Sequence, residues 1–152
     1  MKTMFTLLLT LAMAASALAA DSISLGVRGG APTNRGGHYF EAFGDLHLNR
    51  LVSIGATAAY TKIDADNLKA IRRDESLPIT ALFKIKAPTP FLQPYGGLGA
   101  ALVFHDKRGV KGTPVALAGG NVPLGPIFLN IEYRRQFDDK LDFLGGGAGI
   151  SF

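Results

Sequence analysis

The sequence predicts an all-β chain, an eight-stranded antiparallel up-and-down transmembrane β-barrel, and three observations carry that expectation. Eight segments alternate apolar with small or polar residues at period two, and most run roughly 9–13 residues, against the roughly 9–11 tilted residues that cross a bilayer as a strand. Beyond the first nineteen residues no stretch approaches the roughly 18–20 uninterrupted apolar residues of a spanning helix. The chain also ends on an aromatic residue, Phe152, inside an unbroken alternation. A free chain end frays into water, whereas the last strand of a closed ring must pair with the first.

The order of the chain begins with export. Residues 1–19 read as a cleaved signal peptide: Lys2 supplies the positive end, residues 5–15 the apolar core, and Ala17-Leu18-Ala19 the small-x-small cleavage site. One domain is expected over residues 20–152. With no cysteine, this exported domain has no disulfide to hold it, and a closed hydrogen-bonded sheet would serve instead. Only 18% of residues are charged, 47% are hydrophobic and the mean hydropathy is +0.21, so an apolar medium is needed to cover the surface.

The first strand, residues 22–30, sets Ile23, Leu25 and Val27 against Ser24, Gly26 and Arg28. After a Pro, Asn and Gly loop, the second, residues 38–49, places Phe40, Ala42, Gly44, Leu46 and Leu48 opposite Tyr39, Glu41, Phe43, Asp45 and His47. The third, from residue 51, opposes Val52, Ile54, Ala56, Ala58 and Tyr60 to Ser53, Gly55, Thr57, Ala59 and Thr61. Residues 64–75 carry no strand pattern and form the longest expected loop. The fourth, residues 76–87, opposes Leu77, Ile79, Ala81, Phe83 and Ile85 to Pro78, Thr80, Leu82, Lys84 and Lys86. The fifth, residues 93–105, opposes Leu98, Ala100, Leu102 and Phe104 to Gly97, Gly99, Ala101, Val103 and His105.

Residues 106–112 read as a charged loop, and the sixth strand, near residues 113–122, is interrupted by Pro114, Gly119 and Gly120 and stopped by Pro123. The seventh sets Ile127, Leu129, Ile131 and Tyr133 against Asn130, Glu132, Arg134 and Gln136; the eighth sets Leu144, Gly146, Ala148, Ile150 and Phe152 against Phe143, Gly145, Gly147, Gly149 and Ser151. Short connections are expected after strands two, four and six, and longer charged ones after one, three and five. That asymmetry, with an even strand number, fits periplasmic turns, external loops and both termini on the periplasmic side. Tyr60, Phe83, Phe104, Tyr133, Phe137, Phe143 and Phe152 lie near strand ends, where interface girdles form, although tryptophan is absent.

Leu77-Pro78-Ile79-Thr80-Ala81-Leu82-Phe83-Lys84, Gln93-Pro94-Tyr95-Gly96-Gly97-Leu98-Gly99-Ala100-Ala101 and Gly147-Ala148-Gly149-Ile150-Ser151-Phe152 give the mature chain its resemblance. It resembles the small eight-stranded outer-membrane barrels of Gram-negative bacteria, the OmpX-like and OmpW-like proteins. The resemblance implies residence in the outer membrane among lipids and lipopolysaccharide. It also implies that Phe152, Ile150 and Ala148 form the signal by which barrel-assembly machinery reads the last strand.

The inner face gathers Arg28, Glu41, Asp45, His47, Lys84, Glu132 and Arg134, with Lys86 and Gln136 nearby, both signs together. An eight-stranded barrel is just wide enough for its own side chains, so a packed polar plug is the first expectation. Inner glycines (Gly26, Gly55, Gly97, Gly99, Gly147 and Gly149) leave volume for a narrow pore or permit tight curvature.

No catalytic residue is expected. His38, His47 and His105 form no His-x-Ser pair, and His105-Asp106 has no nucleophile beside it in sequence. Their separation also gives no metal-ligand spacing, and no cofactor is expected. The basic runs at residues 69–73 and 107–111 lack interleaved aromatics, which disfavours nucleic acid and leaves anionic lipid head groups as their contact. The function expected is therefore a monomeric structural or envelope-integrity protein with, at most, weak passage of small solutes. The alternatives are a lipid A-modifying enzyme and a soluble periplasmic lipid-binding barrel, whose apolar face would point inward.

Overall fold

The computed structural model describes residues 23–64, 74–106 and 109–152. The leader and its cleavage point lie outside the described residues, as do the basic run at residues 69–73 and part of that at residues 107–111. Eight strands follow one another: β1 (Ile23–Pro32), β2 (Gly37–His47), β3 (Val52–Ile63), β4 (Asp74–Lys86), β5 (Gln93–His105), β6 (Gly109–Leu124), β7 (Ile127–Gln136) and β8 (Leu141–Ser151). Each pairs antiparallel with its successor, and β8 pairs with β1 from Ser24↔Ser151 to Pro32↔Phe143, which closes the ring. The chain ends join there: Phe152 N donates to Ile23 O at 2.9 Å.

Period two sorts side chains onto the two faces of the wall. Ile54, Leu102 and Ile131 are 48%, 53% and 57% exposed, while Glu41, Lys84 and Arg134 are 0%, 3% and 6% exposed. The barrel is thus apolar outside and charged inside, which excludes the soluble lipid-binding alternative. Phe143 does not belong to an outer girdle. It points inward and meets Tyr39 edge-on, with ring centroids 5.3 Å apart.

Two expectations about connections and strand six require correction. β6 is the longest strand, at 16 residues, because residues 109–112 of the expected loop pair with β5, as in Val110↔Phe104 and Gly112↔Leu102. At one end the connections span residues 33–36, 64–73, 106–108 and 137–140; at the end holding both termini they span residues 48–51, 87–92 and 125–126. Only residues 64–73 show the expected excess in length. The prolines of β6 are tolerated because each falls where its ladder has ended. Pro114 O accepts from Phe137 N, and Phe137 O, which would face the missing Pro114 N–H, accepts from Lys140 N. Pro123 turns its backbone toward β5, beyond the last β5 partner at Asn121.

Candidate functional site

Among the described residues, chemistry-bearing side chains converge in the lumen, which is built in layers. In the middle, Arg28 on β1 lies opposite Glu41 on β2, while Glu132 and Arg134 occupy successive inward positions of β7. Glu41 accepts from Arg28 Nε at 2.6 Å and from both terminal nitrogens of Arg134 at 2.5 and 3.0 Å. Glu132 faces Arg28 Nη1 at 2.7 Å and accepts from Arg134 Nη2 at 2.7 Å and from the Tyr95 hydroxyl at 2.8 Å. Two guanidiniums and two carboxylates alternate, so the buried quartet carries no net charge. Cancellation of this kind, with hydrogen bonds on most lone pairs, is what allows charges to leave water.

Uncharged side chains complete this layer. Arg28 Nη1 donates to Asn130 Oδ1 at 2.9 Å, and Asn130 Nδ2 donates to Tyr95 and to Asn121 Oδ1. Gly147 lies between Arg28 and Asn130 in the register, and a Cβ there would strike the Arg28 side chain. The missing side chain leaves room for the base of the Arg28 side chain against β8, and the guanidinium meets Asn130 on β7 beyond it. Beside the quartet, Lys84 Nζ meets Asp45 at 2.8 Å and stacks over the rings of Phe43 and Tyr95.

His47 is not part of the quartet and sits nearer the end with the termini. Ser24 Oγ lies 2.7 Å from His47 Nε2 and 2.9 Å from Ser151 Oγ, while Lys86 Nζ lies 3.1 Å from His47 Nδ1. An ammonium can only donate, so Nδ1 accepts and Nε2 carries the ring proton. The imidazole then donates to Ser24 and has no lone pair with which to activate it as a nucleophile. At the opposite mouth, His105 Nε2 is 3.9 Å from Asp139 Oδ2, and Lys111 holds the same carboxylate at 3.0 Å. Ser76 lies across from His105 in the β4–β5 register, and both face the lumen rather than lipid. His38 is exposed. No group of three or more metal-ligating side chains occurs among the described residues.

Neighbouring side chains cover every inner glycine expected to leave volume open. Phe43 lies over Gly26, Phe128 over Gly149, Leu82 over Gly99 and Arg28 over Gly147; Asp45 and Lys84 crowd Gly55, and Lys84 with Leu117 crowds Gly97. These glycines are sockets for side chains from adjacent strands. An apolar cluster of Tyr39, Ile63, Leu141 and Phe143 lies toward the mouth away from the termini. Between that cluster and the quartet, a cleft lined by Glu41, Thr61, Pro78, Arg134 and Gln136 has room for about 10 Å³, a single water's worth.

Asn130 and Thr57 join this network from the face that alternation gave them, and Tyr95 and Asn121 belong to it without standing out in the sequence as charges do. Strand parity is the signal that could have found these two: Tyr95 is two residues before Gly97, and Asn121 two after Gly119.

An apolar belt around a neutralised, filled interior defines a transmembrane β-barrel of the small outer-membrane type. No family model matches the chain, and no curated protein matches it by sequence. Its fold is shared by solved structures. Neisserial surface protein A (NspA) superposes with a TM-score of 0.67 at 15% identity, covering 88% of this chain and 98% of that one. The outer membrane protein OprG from Pseudomonas aeruginosa gives 0.67 at 12% identity over 88% and 96%. The outer membrane enzyme PagL gives 0.54 at 10% identity over 85% and 99%.

Proposed function

We propose that this chain is an integral outer-membrane protein whose work is structural, a non-conducting staple of the envelope. The leader at residues 1–19 directs export and leaves a mature chain from Ala20, and outer-membrane lipids with lipopolysaccharide surround the belt. Phe152, Ile150 and Ala148 present the last strand to the assembly machinery, and the barrel acts as a monomer. The observation that carries this reading is the Arg28–Glu41–Arg134–Glu132 quartet, which spans the lumen and leaves a neighbouring cleft no larger than one water. Reconstituted into a planar bilayer, the protein is expected to pass no resolvable current. Sustained unitary steps at neutral pH would remove the sealed-lumen reading and restore weak solute passage.

The fold shared with PagL keeps a lipid-modifying activity as the second reading. The proton on His47 Nε2 disfavours Ser24 as its nucleophile, and the inward placement of Ser76 and His105 keeps them from acyl chains outside the wall. Mass spectrometry of lipid A from cells with and without the protein decides it: loss or gain of an acyl chain would establish the enzyme.

A further inference from the structure

The two ends of the barrel differ in chemistry. The carboxylates of Asp64, Glu75, Asp106, Asp138, Asp139 and Asp142 all belong to the end away from the termini. At the terminus-bearing end, the connections at residues 48–51, 87–92 and 125–126 contain a single charged side chain, Arg50, and no carboxylate. They carry large apolar groups instead: Phe91 is 85% exposed, and Leu48, Leu51 and Leu92 are each at least half exposed. Below them Ile85, Leu124 and Phe152 are exposed as well, so the apolar belt reaches the turns.

The backbone of these turns is also made ready to leave water. Asn49 Oδ1 accepts from the amides of Leu51 and Val52, both at 2.8 Å, and the Leu48 amide donates to Val52 O. Thr89 N donates to Ala87 O, Ala87 N to Pro94 O, and the Thr89 hydroxyl to Leu92 O. Pro88, Pro90 and Pro126 have no N–H to satisfy. Pairing of this kind lowers the cost of taking these turns out of water, because an unpaired amide near hydrocarbon costs free energy.

We propose that the turns at this end are immersed in the head-group and upper acyl layer of the phospholipid leaflet they face, with Phe91, Leu92, Leu48 and Leu51 among acyl chains and Arg50 against lipid phosphate. The proposal rests on the membrane-barrel reading above and adds a depth and a lipid contact to it. Within these three connections Arg50 is the cation available for an anionic head group, and the aliphatic length of its side chain lets it reach the phosphate layer from apolar surroundings.

The chain has no tryptophan, so one introduced indole reports its own surroundings. The full chain is produced in bacteria, purified from membranes as Phe91→Trp and as Leu98→Trp, a belt position that is 67% exposed, and reconstituted in phosphatidylcholine–phosphatidylglycerol vesicles. Phe91→Trp is expected to emit toward the blue, to lose emission to lipids brominated near the top of the acyl chain more than near its end, and to resist iodide present on both sides. Leu98→Trp is expected to be quenched by brominated lipid and not by iodide. If Phe91→Trp is quenched by iodide and not by bromines while Leu98→Trp behaves as expected, the turns are in water and the immersion is wrong, with the barrel reading intact. If iodide quenches both, the membrane assignment falls with it.

Discussion

Glu41 has no exposed surface, and two guanidiniums meet its carboxylate. Its value to the fold is mostly the charge it cancels. Glu41→Ala leaves Arg28 and Arg134 sharing Glu132 alone, and a buried charge stripped of its partner costs about 3–5 kcal/mol. Urea unfolding of the variant in vesicles should show a loss of that size. Glu75→Ala removes the partner of Lys62, a partly exposed pair 3.8 Å apart, and should change stability by about 0–1 kcal/mol. At this scale the charged members of the lumen are legible because parity alone puts Arg28, Glu41, Asp45, Lys84, Glu132 and Arg134 inside. What parity cannot convey is partnership. Arg28 meets Asn130 across Gly147, where a Cβ would strike the base of the Arg28 side chain, and that depends on which strands become neighbours.

Among the elements, β4 contains the most instructive irregularity. The β3–β4 pairing runs from Val52↔Ile85 to Ala58↔Ile79 and resumes at Thr61↔Ser76. The interruption falls at Pro78, whose backbone faces β3: Lys86 N, an even number of residues away, donates to Leu51 O on that side. The carbonyl of Ala59 therefore meets no ladder N–H. In Pro78→Ala a new amide should face it and resist hydrogen exchange like its neighbours, and an exposed, fast-exchanging amide would refute the assignment. Stability should shift by no more than about 1 kcal/mol, because a hydrogen bond worth about 0.5–1.5 kcal/mol is offset by about 0.4–1 kcal/mol of freedom returned to the unfolded chain. Strands were readable from alternation wherever side chains were large. The sixth was found near residues 113–122 but not its full extent, since Gly109, Gly112, Gly119 and Gly120 give little contrast between faces and Pro114 and Pro123 argue against a ladder. Their tolerance depends on where β5 and β7 stop, which lies in the pairing and not in the segment.

For the whole molecule, the inversion of polarity decides the medium. Ile131 is 57% exposed in the central stretch of β7, and Ile131→Arg should cost about 2–4 kcal/mol if that stretch lies near the bilayer midplane. On a surface in water the same exchange would stay within about 0.5 kcal/mol. Unfolding the variant in lipid vesicles separates the two outcomes. Architecture was legible at this scale because eight alternating segments and an aromatic terminus admit few arrangements. The filling of the lumen was not, because a glycine reads identically whether it leaves a void or receives a ring from the next strand. The closing contact between β8 and β1, with Phe152 bonded to Ile23, also sets a timetable. Each interior strand has a sequence neighbour on both sides, but β1 lacks its second partner until β8 arrives, so the seam joins the two most distant strands of the series and depends on all those between them.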